Sequence, residues 1–457
     1  MDVRAKEAIE KGVRKLVGLQ QGDGSWRGIY DGPNFLLPMY VVAQRLAGRT
    51  VPRKRAEGLL RQIEHWQNPD GSIGLCLQDS GSMFTTALNY VAARMLGAEP
   101  ERPSLERMRG WIHSNGTPLG AASWGKFFLA LCNLYPYDGL TPLMPELWIL
   151  PYAVPVHPGR LWCHCRQVYL PMAWLYGRRV CMPEDELIRA LRRELYGKDY
   201  GEVDFFAHRF HTSPCDRRFP PSRLLVAADG ILRAAERLSP GRLRERALRR
   251  VLDCIDYEDK TTGFIDIGPV NGVLNSIVQH VARPGSDQAR RAFDALDEYL
   301  YEEDGRIGMN GYNSTALWDT AFSVQAILAA GLGGRYRECL RAAHRYIREN
   351  QVLEDPPEHE RWFRDPARGG WPFSDRRHGW PISDCTAEGF KASVYLSPYV
   401  ENPLPEHRLR WAVELILGWQ NADGGWATYE KRRGGGWLEL LNPSDVFGDI
   451  MVDYSYP

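Results

Sequence analysis

The sequence predicts an all-α protein assembled from helical hairpins. Apolar residues recur at helical spacing, and a Gln-to-Trp turn recurs after helices. No run of strict apolar–polar alternation is long enough for a β domain. The 31 Pro and 44 Gly cluster between helical stretches, as in Asp355-Pro356-Pro357 and Arg433-Gly434-Gly435-Gly436. There they punctuate the chain rather than form low-complexity tracts.

Taken in order, the chain opens on Met1-Asp2-Val3-Arg4-Ala5-Lys6-Glu7, a charged helix start with no apolar core and cleavage site behind it, so no signal peptide is expected. The first turn is Gln20-Gln21-Gly22-Asp23-Gly24-Ser25-Trp26. It recurs 47 residues on as Gln67-Asn68-Pro69-Asp70-Gly71-Ser72-Ile73-Gly74, a spacing that suits a helical hairpin as the repeating unit. Leu88, Val91, Ala92, Met95 and Leu96 share a helical face, and Gly97 follows where a C′ glycine belongs. Phe322, Gln325, Ala326 and Ala329 form a second such face before Gly331. A stretched turn runs from Gln351 to Gly369-Gly370-Trp371. Trp411, Ala412, Leu415, Ile416 and Trp419 then lead into Gln420-Asn421-Ala422-Asp423-Gly424-Gly425-Trp426. The stretch from about 75 to 300 lacks the turn but keeps helical periodicity, so repeats at both ends predict one domain interrupted by another.

The 457 residues carry 57 Lys+Arg against 57 Asp+Glu. This neutral balance argues against nucleic acid as the main partner. No apolar run approaches 18 residues, so no transmembrane helix is expected. Nine scattered cysteines suit a reducing compartment. The unusual number is aromatic, with 15 Trp, 21 Tyr and 15 Phe making 51 rings.

Phosphate loops, Rossmann glycine patterns, Gly-x-Ser-x-Gly elbows and Asp-Asp-x-x-Asp are all absent. Cys163-His164-Cys165 places its ligands side by side, unlike zinc spacings, so no metal is expected. The segment Asp384-Cys385-Thr386-Ala387-Glu388 follows Trp371, Phe373 and Trp380 and precedes an apolar helix. One reading is an N-cap by Ser383 or Asp384. The other is a carboxylic acid kept protonated by desolvation among rings and thiols, and so able to act as a general acid.

These residues resemble a known family. The turns resemble the QW motifs of triterpene cyclases, and Asp384-Cys385-Thr386-Ala387-Glu388 resembles the acid motif of the oxidosqualene cyclases. It differs from the Asp-x-Asp-Asp of squalene–hopene cyclases, since Ile382 stands two residues before Asp384. Trp162-Cys163-His164-Cys165-Arg166-Gln167-Val168-Tyr169-Leu170-Pro171-Met172, Trp318-Asp319-Thr320-Ala321-Phe322 and Phe447-Gly448-Asp449-Ile450-Met451 match as well.

The resemblance implies two α/α-barrel toroids, a catalytic one from residues 1–29 and 303–457 and an inserted one from 30–302. It implies cyclisation of (S)-2,3-oxidosqualene with no cofactor, on the cytoplasmic side of a membrane held peripherally. Asp384 is then the acid that protonates the epoxide and Cys385 its hydrogen-bond partner, while Trp318, Phe373, Trp162 and Trp124 line the cavity and Tyr30 borders it. Ring faces suit that task, because they attract a cation without offering a nucleophilic lone pair. His164 and Tyr429 match the pair that steers the cascade and ends it by deprotonation. Tyr312, His378 and Ile382 resemble the combination of cycloartenol-forming members, with lanosterol formation as the alternative. In the family, the segment matching Phe447 to Tyr456 continues into a Glu-Cys pair and further hairpins. The second barrel is therefore expected to be incomplete, with a second chain or a longer reading frame supplying the rest, or with turnover lost. A zinc-dependent prenyltransferase-like toroid is the distant alternative.

Overall fold

A computed structural model describes residues 3–456; Met1 and Asp2 of the charged helix opening, and Pro457, lie outside the described residues. The chain is all-α. Its helices are α1 (Val3–Val17), α2 (Leu36–Leu46), α3 (Arg53–Trp66), α4 (Met83–Met95), α5 (Pro103–Ser114), α6 (Ser123–Leu131), α7 (Cys163–Arg178) and α8 (Glu186–Tyr196). They continue with α9 (Arg223–Leu238), α10 (Gly241–Thr261), α11 (Pro269–Ala282) and α12 (Asp287–Leu296). After a hairpin of β1 (Leu300–Glu303) and β2 (Arg306–Met309) come α13 (Ala316–Ala329), α14 (Arg337–Glu349), α15 (Ser383–Leu396) and α16 (Glu406–Trp419). No described helix is long and apolar enough to cross a membrane.

The repeated turn explains how hairpins stack. Gln20 Nε2 donates to Gly24 O at 2.9 Å within its own turn and to Cys339 O at 2.9 Å on α14. Gln67 reaches Gly71 O and Ser104 O, and Gln351 reaches Gly369 O and Arg408 O, in the same two-ended way. The glycines sit at positive φ (91° at Gly24, 93° at Gly71, 96° at Gly369), where a side chain would also strike the backbone of Ala342, Arg107 and Trp411. The indole N–H of Trp26, Trp371 and Trp426 donates back to Leu16, Ile347 and Ile416 of the preceding helix. The copies at Gln20, Gln67 and Gln351 thus close their own turn and grip a second hairpin. The copy at Gln420 closes on Gly424 O at 2.9 Å but grips no second carbonyl among the described residues.

Two main cores result. The larger runs from Phe35 to Met309 and takes in Leu438, Val446, Met451 and Val452; α2 packs against α4, α6 and α11, and α11 against α7. The second joins Val13 and Trp26 to residues from Cys163 to Tyr429, with α15 packed on α13, α14 and α16.

Two features go beyond what the sequence predicts. The α13 helix forms where periodicity predicts it, but the face of Phe322, Ala326 and Ala329 is exposed, while Leu317, Ala321, Val324 and Ile327 are buried. The helix is apolar on nearly every side, so periodicity could not choose a face. The β1–β2 hairpin was also not foreseen. It is an antiparallel pair in register Leu300↔Met309 and Glu303↔Arg306, closed by Asp304 and Gly305, both at positive φ.

Candidate active site

The segments that carry the site are tied together by hydrogen bonds from backbone amides. Tyr30 N donates to Asn310 Oδ1 at 2.9 Å, and Gly311 N donates to Tyr30 O at 2.9 Å. This brings Tyr30 beside Tyr312. The unpaired first amides of α13, Leu317 and Trp318, find the carbonyls of Ser374 and Phe373 at 3.1 and 3.3 Å. That contact aligns Trp318 with Phe373.

A row of rings follows. Tyr30 stacks on Tyr312 with centroids 5.9 Å apart, Tyr312 lies 4.6 Å from Phe373, and Phe373 stacks on Trp318 at 5.8 Å. Phe322 meets Trp318 edge-on at 4.7 Å, which explains an exposed apolar face on α13: it adjoins the ring row. The Tyr312 hydroxyl is hydrogen-bonded to that of Tyr429. His164, in the first turn of α7, meets the Tyr429 ring edge at 4.9 Å and lies 4.8 Å from Trp162. Trp124, at the start of α6, donates to the Tyr169 hydroxyl at 3.1 Å and lies 5.5 Å from Phe447.

Tyr30, Trp124, Trp162, His164 and Tyr312 line one cavity of about 450 Å³, with Phe447, Val168 and Asn271 completing its wall. The one carboxylate among the lining residues, Asp31, is held by the Tyr301 hydroxyl at 2.7 Å. Phe373 and Trp318 extend the row behind Tyr312.

Four titratable groups of the ring cluster, His164, His378, Tyr312 and Tyr429, are kept neutral. Burial pulls His164 down to about 3, with the charges of His378 and Arg166 adding to the effect. Burial likewise brings His378 to about 4, although its Nε2 bonds Ile267 O at 3.2 Å. Burial pushes the Tyr312 and Tyr429 phenols up, so both remain protonated at neutral pH. A cation in such a cavity meets the neutral His164 imidazole, phenols and π faces, with Asp31 the one carboxylate in the lining.

Asp384 departs from expectation. It lies in the first turn of α15 but does not cap the helix: the N-cap position is Ile382, and no side chain caps there. Its Oδ1 accepts from the adjacent Cys385 amide at 2.6 Å, and its carboxyl also meets the Cys385 thiol. Nor is it desolvated. The residue is exposed, whereas Cys385 and Thr386 beside it are buried. Burial and the neighbouring Asp384 carboxylate raise the Cys385 thiol well above its usual value. Cys385 in turn lies close enough to Tyr312 and Tyr429 to perturb both, which connects the acid motif to the ring cluster. Ile382 is buried and donates its amide to Trp371 O at 3.1 Å, while Ser383 N donates to Thr428 O at 2.8 Å.

Sequence reasoning assigned no role to Phe447 or to a buried charge network behind the rings. Phe447 was visible in a matching motif. The network, Arg166 with Glu430 and Arg364 with Glu258, joins residues far apart in the chain, and only isolated charges in apolar stretches marked it.

Comparison with known proteins follows the same lines. The family profile described as squalene-hopene cyclase N-terminal domain matches residues 9–305, and that described as squalene-hopene cyclase C-terminal domain matches residues 314–455. The chain is 42% identical over 458 residues to lanosterol synthase of Homo sapiens, covering 99% of this chain and 63% of that protein. It is 40% identical to cycloartenol synthase of Dictyostelium discoideum (99% and 64%) and 36% identical to lanosterol synthase of Pneumocystis carinii (99% and 64%). The chain thus spans a little under two thirds of the length of these relatives. The two profiles and these identities leave one assignment: the chain belongs to the squalene–hopene and oxidosqualene cyclase family.

Proposed function

We propose that this chain carries the acid, the ring-lined cavity and the terminating base of a cyclase acting on 2,3-oxidosqualene. The observation that carries the reading is the convergence of Tyr30, Tyr312, Phe373, Trp318, Trp162, His164 and Tyr429, drawn from five separated segments, on one neutral aromatic wall.

Asp384 donates its proton to the epoxide oxygen. The C–O bond to the more substituted carbon breaks, the oxygen becomes a hydroxyl, and a tertiary cation remains. Alkenes of the folded chain attack in turn, so the positive charge advances while rings close. Ring faces stabilise it by roughly 0.5–2 kcal/mol each without forming a bond. His164, neutral because burial brings it to about 3, is fit to take the final proton, with Tyr429 beside it. One proton enters and one leaves, so substrate and product are isomers.

Tyr312, His378 and Ile382 form a compact corner: Tyr312 lies 5.9 Å from His378, and both His378 and Ile382 are buried. With this corner holding the late cation, we assign cycloartenol as the product and keep lanosterol as the second reading. Two relatives that differ in product, at 42% and 40% identity, favour neither.

Peripheral membrane attachment is part of the same proposal. The α9 helix leaves Leu224, Val226, Ile231 and Leu238 exposed, the last two at 69% and 81%, and beside it Trp437 and Leu440 are exposed too. An apolar cleft of about 400 Å³ lies between α9 and residues 141–161. The exposed Val394, Tyr395, Val413 and Leu417 of α15 and α16 are where further family hairpins would pack, whether continuous with this chain or on a second one.

The test is incubation with 2,3-oxidosqualene and identification of products by mass spectrometry, with Asp384→Asn alongside. A cyclic product from the unaltered chain and none from the variant is expected. Cyclisation that survives Asp384→Asn removes Asp384 from the mechanism.

A further inference from the structure

We propose that Arg166 and Glu430 are the positioning residues of this site: their buried ion pair holds His164, in the cavity wall, against Tyr429 behind it. What the pair would then serve, proton removal at the end of the cascade, rests on the reading above.

The argument begins with what His164 lacks. Its ring makes no hydrogen bond among the described residues, and its neighbours are the rings of Trp162 and Tyr429. Nothing local therefore fixes its distance to Tyr429, which comes from another part of the chain. The fixing point stands beside each. Arg166 follows His164 by two residues on α7, and Glu430 directly follows Tyr429. Arg166 Nη2 meets Glu430 Oε2 at 2.6 Å across 264 residues of sequence, with both side chains only 2% exposed.

Both ends are anchored further. Arg166 also donates from Nη2 to Phe363 O at 2.6 Å and from Nη1 to Leu161 O at 3.2 Å. Glu430 Oε1 accepts from the Asp365 amide at 3.1 Å and has Arg433 at 3.5 Å. Burial alone would raise the Glu430 carboxyl, but the guanidiniums of Arg166 and Arg433 outweigh it and hold it below the usual range. The pair is charged at neutral pH.

The same guanidinium supports Tyr429 from behind. Trp380 meets the Tyr429 ring edge-on at 6.2 Å, and its face lies 3.7 Å from the Arg364 guanidinium and 5.7 Å from that of Arg166. Its indole N–H donates to Glu258 Oε1 at 2.8 Å. A buried ion pair is a poor way to gain stability, since desolvation offsets most of the attraction, but it permits only one alignment of the elements it joins. Here those elements are α7 and the segment carrying Tyr429.

The test reads position directly. In the full chain labelled with carbon-13 at histidine Cε1, the His164 resonance is assigned by His164→Gln, and its shift without the neighbouring ring by Tyr429→Leu. Arg166→Met/Glu430→Leu removes the pair without stranding a buried charge, and a retained thermal transition reports folding. The His164 resonance of this double variant is expected to move to its Tyr429→Leu position while the other histidines stay. Arg166→Lys keeps a cation for Glu430 but cannot hold the Leu161 and Phe363 carbonyls together, so a smaller shift in the same direction is expected. A His164 resonance unmoved in both variants overturns the proposal. With 2,3-oxidosqualene, the double variant is expected to spread its products over additional sites of proton loss. An unaltered chain that turns over no substrate would defeat the cyclase reading, while the resonance still decides the placement.

Discussion

Gln351 and Gln420 occupy the same place in two copies of the repeated turn, yet their replacement should have very different consequences. Gln351 is fully buried and makes three bonds: Nε2 to Gly369 O at 2.7 Å, Nε2 to Arg408 O at 3.0 Å, and Oε1 from Arg408 Nε at 2.8 Å. At about 1 kcal/mol net for each, Gln351→Ala is expected to cost about 3 kcal/mol, with the orphaned carbonyls keeping the figure from falling much lower. Gln420 is half-buried and makes one such bond, to Gly424 O at 2.9 Å, which water can replace. Gln420→Ala should therefore cost less than about 1 kcal/mol. The difference of about 2 kcal/mol is more than tenfold in the folding equilibrium. Urea denaturation followed by helical circular dichroism measures it. With a slope of about 2–3 kcal/mol/M, Gln351→Ala should lower the midpoint by about 1 M and Gln420→Ala by a few tenths. Equal shifts, or a larger one for Gln420→Ala, would refute the idea that the turn's worth lies in gripping the next hairpin.

Two further outcomes concern pH. His378 has its folded value near 4, below the roughly 6.5 of a free imidazole, so the unfolded chain takes up the proton first. Its contribution is complete above about pH 6.5 and is lost as pH falls towards 4, by about 3 kcal/mol. His378→Gln should flatten the fall in unfolding free energy across that window, and an unchanged slope would contradict the assignment. Asp266 is displaced the other way: burial, and then the charges of Asp259 and Glu258, push its carboxyl well above the usual range. Its cost to the folded state starts near the unfolded value, roughly 3.9, and grows as pH rises. Asp266→Asn should therefore raise Tm more at pH 8 than at pH 5, and an equal gain at both would count against a strained acid.

What could be read from the sequence divides along a physical line. The repeated turns were legible because each packs its whole logic into seven residues, or into two short halves for the copy at Gln351. The β1–β2 hairpin was missed because four residues of alternation are too few to register, although Asp304-Gly305 is a hairpin signal in its own right. Which face of α13 is buried was not legible, because an almost wholly apolar helix gives periodicity no face to choose. The ring wall lay outside local reasoning altogether: no spacing rule brings Tyr30 to Tyr312, and only resemblance to a family pointed there. The Arg166–Glu430 pair escaped for the same reason, as its partners are 264 residues apart.

Asp384 shows how structure changes the weight of a motif. The sequence left it between two readings, a helix cap and an acid. As a cap it would accept amides of α15 two or three residues on, and it does not; the N-cap position is Ile382. As a desolvated acid it would be buried, and it is exposed. What remains is a carboxyl group that accepts the Cys385 amide and meets its thiol, at the end of α15 that carries Cys385 near enough to perturb Tyr312 and Tyr429. No fold requirement among the described residues explains an aspartate there. That placement, and not desolvation, is what supports the proposed acid role of Asp384, which Asp384→Asn tests.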